Sequence, residues 1–180
     1  ETADETLKEL AQNEIQGAEM AKILPENNKG VSVVNLGRNI NIPLSEYAPA
    51  LGSDGKLYFA GLDRDKKNVV EIDESNGHYS KIFTATKSDK GWGKGDALDE
   101  KINRPGYHTN NPSFSEDGNT MYFTRGLLEG NNLSESKIYI SQRDGASWLG
   151  AKEVTGINGD HISTHPSPGE LFGKEVLLNL

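Results

Sequence analysis

Three stretches of this chain repeat one pattern, and that repeat limits its possible folds more than any other feature. The first reads Ser45-Glu-Tyr-Ala-Pro49-Ala-Leu-Gly-Ser-Asp54-Gly55-Lys-Leu-Tyr58-Phe59 and the second Thr109-Asn-Asn-Pro112-Ser-Phe-Ser-Glu-Asp117-Gly118-Asn-Thr-Met-Tyr122-Phe123. The third reads Thr164-His-Pro166-Ser-Pro168-Gly-Glu-Leu-Phe-Gly173-Lys-Glu-Val176-Leu-Leu178. An Ile-Asn pair stands 9, 10 and 9 residues before the three prolines, at Ile40-Asn41, Ile102-Asn103 and Ile157-Asn158. Trp92 and Trp148 precede the second and third pairs by 10 and 9 residues. Markers recurring in one order at near-constant offsets are the mark of a repeated structural unit. The prolines lie 63 and then 54 residues apart.

Each marker has a physical task. Asp54-Gly55 and Asp117-Gly118 supply the positive φ that a tight reversal between a first and a second strand requires. The Tyr-Phe pairs put one ring on each face of the second strand. Proline at the start of an inner strand suits a sheet edge, where its missing N–H breaks no ladder bond. The tryptophans, each beside glycine, read as outer-strand rings wedged between units. In the third unit Phe172-Gly173 replaces Asp-Gly after a two-residue insertion, and Leu177-Leu178 replaces Tyr-Phe.

Around the markers lie short β-branched and aromatic runs separated by turn residues: Val31–Val34, Lys56–Ala60, Val69–Ile72, Lys81–Thr84, Thr120–Thr124 and Lys137–Ser141. The repeat is about the length of a four-stranded propeller blade with loop insertions. The expected fold is therefore mainly β, with about two and a half four-stranded blades of a partial β-propeller over residues 31–180, preceded by one α-helix. That helix is read over residues 4–24, where Leu7, Leu10, Ala11, Ile15, Ala18, Ala21, Ile23 and Leu24 recur at helical spacing until Pro25 and the Asn27–Gly30 run stop it. Residues 1–30 form the helical segment, whose apolar stripe needs a partner surface.

Charge and cysteine content narrow the function. With 27 acidic and 19 basic side chains the net charge is -8, which argues against a nucleic-acid binder, since such affinity comes mostly from Lys and Arg neutralising phosphates. The chain has no Cys, so disulfides, thiolate metal sites and thiol nucleophiles are excluded together. No apolar run is long enough for a membrane span. A chain that opens on Glu1 is expected to be processed or a fragment, and with fewer units than the 4 to 8 blades of a closed propeller it is expected to continue in a longer protein, to be part of one, or to complete its ring with other copies.

The three units resemble the WD-repeat-like propeller repeat, also called the PD repeat, of bacterial envelope proteins related to the TolB propeller. The string Val31-Ser-Val-Val-Asn35-Leu36-Gly37-Arg-Asn-Ile40-Asn41 with Glu46-Tyr47-Ala48-Pro49, joined to a helix bearing Gly17-Ala18-Glu-Met-Ala21-Lys, is similar to the junction between a tetratricopeptide-like helical region and a propeller in Bacteroidetes proteins. The resemblance implies a periplasmic or outer-membrane-associated protein that binds other envelope proteins. It further implies peptidoglycan contact only through OmpA-like domains lying outside this chain, and one branch of the family is a linker component of type IX secretion.

Catalytic and ligand motifs are sparse. There is no Gly-x-Ser-x-Gly elbow, phosphate loop, dinucleotide fingerprint or His-Glu-x-x-His. No catalytic residue, metal ligand or cofactor is assigned, and the binding residues are left open. His161 and His165 beside Asp160 have metal-like spacing, but extended chain at that point does not bring them to one face. His108 and His165 read as loop hydrogen-bonders before the repeat proline, and His78 as a turn residue facing solvent. Asp63–Asn68 lacks the central Gly and terminal Glu of a calcium loop. The segment from Gly126 to Ser136, including Asn132-Leu133-Ser134, reads as a long polar loop open to partner contacts. Tyr47, Tyr107, Trp92 and Trp148 are either blade core or a carbohydrate- or peptide-binding surface. The expected function is a non-enzymatic envelope scaffold. The alternatives are the propeller of a tricorn-type or prolyl-oligopeptidase-type peptidase and a carbohydrate-binding module.

Overall fold

The computed structural model describes residues 2–27, 32–62, 79–129, 132–171 and 174–178. It divides into two compact units, Glu1–Asn35 and Leu36–Leu180. The first contains helix α1, Thr2–Asn27, on which Leu7, Ile15 and Met20 are exposed. The helix runs two residues past Pro25, whose missing N–H deletes a single bond in the last turn. Residues 32–37 form no strand and Val33 is 92% exposed, so the expected strand at Val31–Val34 is corrected: β-branched residues make a strand only where there is a neighbour to pair with. The Val69–Ile72 run lies outside the described residues.

The second unit is mainly β. Strands β1 (Glu46–Leu51), β2 (Leu57–Leu62) and β3 (Ser80–Ala85) pair antiparallel, and the short β6 (Asp96–Ala97) closes the first sheet, in the order β1-β2-β3-β6. Before β6, β4 (Lys87–Ser88) and β5 (Gly91–Trp92) form a small hairpin. The second sheet repeats this plan with β7 (His108–Phe114), β8 (Thr120–Glu129) and β9 (Asn132–Asp144), and both β10 (Ser147–Trp148) and β11 (Lys152–Glu153) pair with β9. A third hairpin, β12 (Ser167–Leu171) with β13 (Lys174–Leu178), opens in the same way.

The repeat is visible in the pairing register. Phe83 faces Ala97 as Tyr139 faces Glu153, and Leu57 faces Ala85 as Met121 faces Ser141. The Asp-Gly turns form where expected, with Gly55 at φ 73° and Gly118 at φ 69°. The Tyr-Phe pairs also split between faces: Tyr58 joins a core with Ile82, Ile102, Met121, Phe123 and Trp148, while Phe59 joins Ile40, Leu57, Phe83 and Ala85.

Three details differ from the sequence reading. The prolines do not begin their strands: Pro49 and Pro112 sit inside β1 and β7 at bulges, where the register shifts between Tyr47 and Ala50 and between Asn110 and Ser113. The tryptophans lie on the hairpin strands β5 and β10, because the outer strands β6 and β11 are only two residues long. In the third hairpin Leu178 faces Ser167 as Tyr122 faces Ser113, so Leu178, not Leu177, holds the tyrosine position.

Candidate functional site

The side chains that recur with the repeat converge on the seam between the two sheets. At its turn end, Asp54 accepts a hydrogen bond from the Tyr58 hydroxyl at 3.0 Å and forms an ion pair with Arg143 at 3.0 Å. Burial pushes the Asp54 carboxyl up, but the Lys56 amide, the Tyr58 hydroxyl and Arg143 together hold it below the usual carboxylate range. The Arg143 guanidinium lies 4.5 Å over the Trp148 ring and its Nε donates to the Gly118 carbonyl. Tyr58 meets Phe114 edge-on at 4.8 Å, and Phe114 stacks on Trp148 at 5.8 Å. The Asp54–Arg143 ion pair and the packing of Tyr58 against Phe114 and Trp148 thus bind first sheet to second, with the Arg143–Trp148 cation–π contact holding the receiving side together. Gly118 completes the fit, since a Cβ there would stand 1.8 Å from Ser53 Oγ.

Midway, the second and third Ile-Asn pairs carry a task of their own, while Asn41 of the first instead accepts the Leu36 N–H at 3.2 Å. Asn103 Oδ1 accepts the Ile82 N–H at 2.8 Å while its Nδ2 donates to the carbonyls of Ile82 and Leu98. Asn158 makes the same three bonds to Ile138 and Val154. A side-chain amide here copies the paired donor and acceptor of a strand residue.

At the opposite end, the residue before each repeat proline is left-handed: Ala48 at φ 49°, Asn111 at 53° and His165 at 51°. Non-glycine residues adopt this region uncommonly. Beside the first two bulges lies a polar group drawn from β1, β3 and β7. His108 Nδ1 accepts the Ser80 backbone N–H at 3.2 Å and lies 3.3 Å from Ser80 Oγ, which puts the ring proton on Nε2. Burial pushes the His108 pKa down. Asn110 makes long contacts to Tyr47 and Ser80, and the Tyr79 ring meets His108 edge-on at 5.3 Å. A serine against a histidine suggests a nucleophile and its base, but Ser80 is 2% exposed and its own amide occupies Nδ1, so the pair is built to lock β3 to β7. Above β8, Arg125 is buried against Tyr139, with its centre 4.3 Å from that ring and Nη2 donating to the Ile102 carbonyl at 2.7 Å.

The remaining singled-out residues scatter. His161 and His165 are exposed, His165 Nδ1 lies 3.0 Å from Thr164 Oγ1, and no three His, Asp or Glu side chains converge among the described residues. His78 and Asp63–Asn68 lie outside the described residues. Gly126–Ser136 is not a long loop: β8 and β9 continue through it, pairing Leu127 with Glu135 and Glu129 with Asn132. Trp148 is 4% exposed, which removes it from any sugar-binding surface. Trp92 is half-buried, Tyr107 carries Arg104 4.8 Å over its ring, and Tyr47 is 39% exposed. No helix among the described residues is long and apolar enough to cross a membrane. Arg125 carries no repeat signal, so sequence reading misses it, whereas Ser80 recurs as the buried Ser136 in the Ser-Lys-Ile strings of β3 and β9, a signal the markers above do not include.

Comparison with protein-family models, curated proteins and solved structures gives no match to this chain.

Proposed function

We propose that residues 36–180 are consecutive units of a β-propeller serving as a non-enzymatic scaffold, which binds partner proteins in the periplasm or at the outer membrane of a bacterial envelope. The supporting observation is that two successive four-stranded meanders share their register, their Asn clamp and their Asp-Gly turn, and pack face to face. Propeller blades are such meanders repeated about an axis. The scaffold part of the reading is supported by what the recurring polar groups do. Asp54, Asn103, Asn158 and the Ser80–His108 pair all direct their hydrogen bonds at backbone or neighbouring strands, which fixes a rigid frame. The resemblance to envelope repeats supplies the compartment. A place in type IX secretion, or a link to peptidoglycan through other domains, belongs to the same reading.

The test is fractionation of the native cell, followed by cross-linking and sedimentation of the envelope pool. The reading expects the chain in the periplasmic or outer-membrane fraction, sedimenting with other envelope proteins. A freely diffusing monomer in the cytoplasm is the result that overturns it.

A further inference from the structure

The first sheet carries a second, open copy of the seat that the second sheet uses to receive it. In the filled seat, Phe114 and Gly118 of the first hairpin and Arg143 and Trp148 of the small hairpin hold Asp54, Ser53 and Tyr58. The equivalent positions are set by register: Leu51 pairs with Leu57 as Phe114 pairs with Met121, and Lys87 pairs with Trp92 as Arg143 pairs with Trp148. The chemistry also matches, with the Lys87 ammonium 5.8 Å over the Trp92 ring where the Arg143 guanidinium stands 4.5 Å over Trp148.

Occupancy distinguishes the two seats. Gly118 is buried under Ser53, whereas Gly55 is exposed with nothing within 4 Å of its Cβ position. Leu51 is 68% exposed, and Lys87 has no acidic partner among the described residues. Lys90, exposed on the same hairpin, adds a second positive charge and Asp89 between them one negative charge, which leaves the hairpin net positive. The seat is therefore cationic, with an aromatic floor and a glycine flank, on a chain of net charge -8.

We infer that the Leu51–Gly55–Lys87–Trp92 surface docks a second copy of this chain through the exposed Glu116 and Asp117 of its turn, in a head-to-tail contact. Asp117 is the counterpart of Asp54 in the second sheet, it is exposed, and Glu116 beside it supplies a further negative charge. Ser115 and Asn119 already hold the turn in shape, with the Asp117 carboxylate accepting from both. Tyr122 is buried, so the incoming copy offers its turn and not the ring. The contact uses different surfaces on the two copies, so it builds rings or open chains rather than closed two-fold dimers.

Sedimentation velocity of the full chain, over about 1 to 200 μM, tests this in the range where weak contacts register. Concentration-dependent association is expected, weakened at least about tenfold by Lys87→Glu alone and by Asp117→Lys alone, a loss of about 1.4 kcal/mol. Both positions are on the surface, and circular dichroism checks that each variant is folded. Mixing the two variants restores association, because Asp117 of the Lys87→Glu copy then meets Lys87 of the Asp117→Lys copy, and the introduced carboxylate meets the introduced ammonium. A chain that stays monomeric throughout overturns the inference, as does association that neither reversal weakens or that mixing fails to restore.

Discussion

Asn103 brackets Ile82 on the neighbouring strand, accepting its N–H at 2.8 Å and donating to its carbonyl at 2.9 Å. The bond to the N–H is the more important, because the Ile82 carbonyl also receives the Leu98 N–H. Removing a partner from a buried donor costs its full desolvation penalty. Asn103→Ala is expected to lower unfolding free energy by about 2–3 kcal/mol. Asn158→Ala should cost a similar amount, since it makes the same bonds on the second sheet. Urea denaturation of both variants checks this, and a loss below about 0.5 kcal/mol at both sites rejects the clamp.

Gly118 and Gly55 share a left-handed backbone but not a neighbour. Alanine at either site meets the positive-φ cost of about 1 kcal/mol. At Gly118 it also meets Ser53, so Gly118→Ala is expected to cost at least about 2 kcal/mol while Gly55→Ala stays near that first figure. Equal losses in paired melts would show that the Ser53 contact contributes nothing.

His108 makes stability depend on pH. Burial favours its neutral ring, so its folded pKa lies below the ordinary 6.5. The unfolded chain therefore takes up the proton first, and stability is full above the unfolded value and falls as pH drops through it toward the folded one. Protonation also sets a second donor against the Ser80 N–H. His108→Asn keeps an acceptor near the Nδ1 position without titrating in this range. Its melting temperature should fall less than that of the parent between about pH 7.5 and about pH 5, and parallel curves would remove His108 as the cause.

The bulges give a prediction of opposite sign. Ala48 holds φ 49° with no side-chain hydrogen bond to offset the strain. Ala48→Gly should stabilise by up to about 1 kcal/mol, whereas Asn111→Val, which puts a β-branched residue at φ 53°, should destabilise by about 1–2 kcal/mol. Chemical denaturation decides between these and a neutral result.

Much of the second unit is legible in the sequence because its markers act locally. Asp-Gly turns, alternating Tyr-Phe rings and β-branched runs each report on a few residues, and they recur often enough to be aligned. What stays hidden depends on distance along the chain. Arg143 meets Asp54 across 89 positions and Ser80 meets His108 across 28, and no local pattern announces either. The bulges at Pro49 and Pro112 escape for a different reason, since Ala48 is an unexpected residue for a left-handed position. The hairpin within 126–136 reads as a loop because its glycine, asparagine and serine residues form one polar stretch, although β8 and β9 stay paired as far as Glu129 and Asn132.

The brevity of the outer strands has a consequence for solubility. β6 and β11 span two residues each, and the backbone of Ile82 and Ile138 beyond them is engaged by asparagine side chains and not by more strand. A sheet rim finished in this way leaves few unpaired N–H and C=O groups in a row for another strand to add to. The same asparagines therefore protect against edge-to-edge aggregation, and their loss should expose amyloid-type pairing sites along β3 and β9 even under conditions where the fold survives.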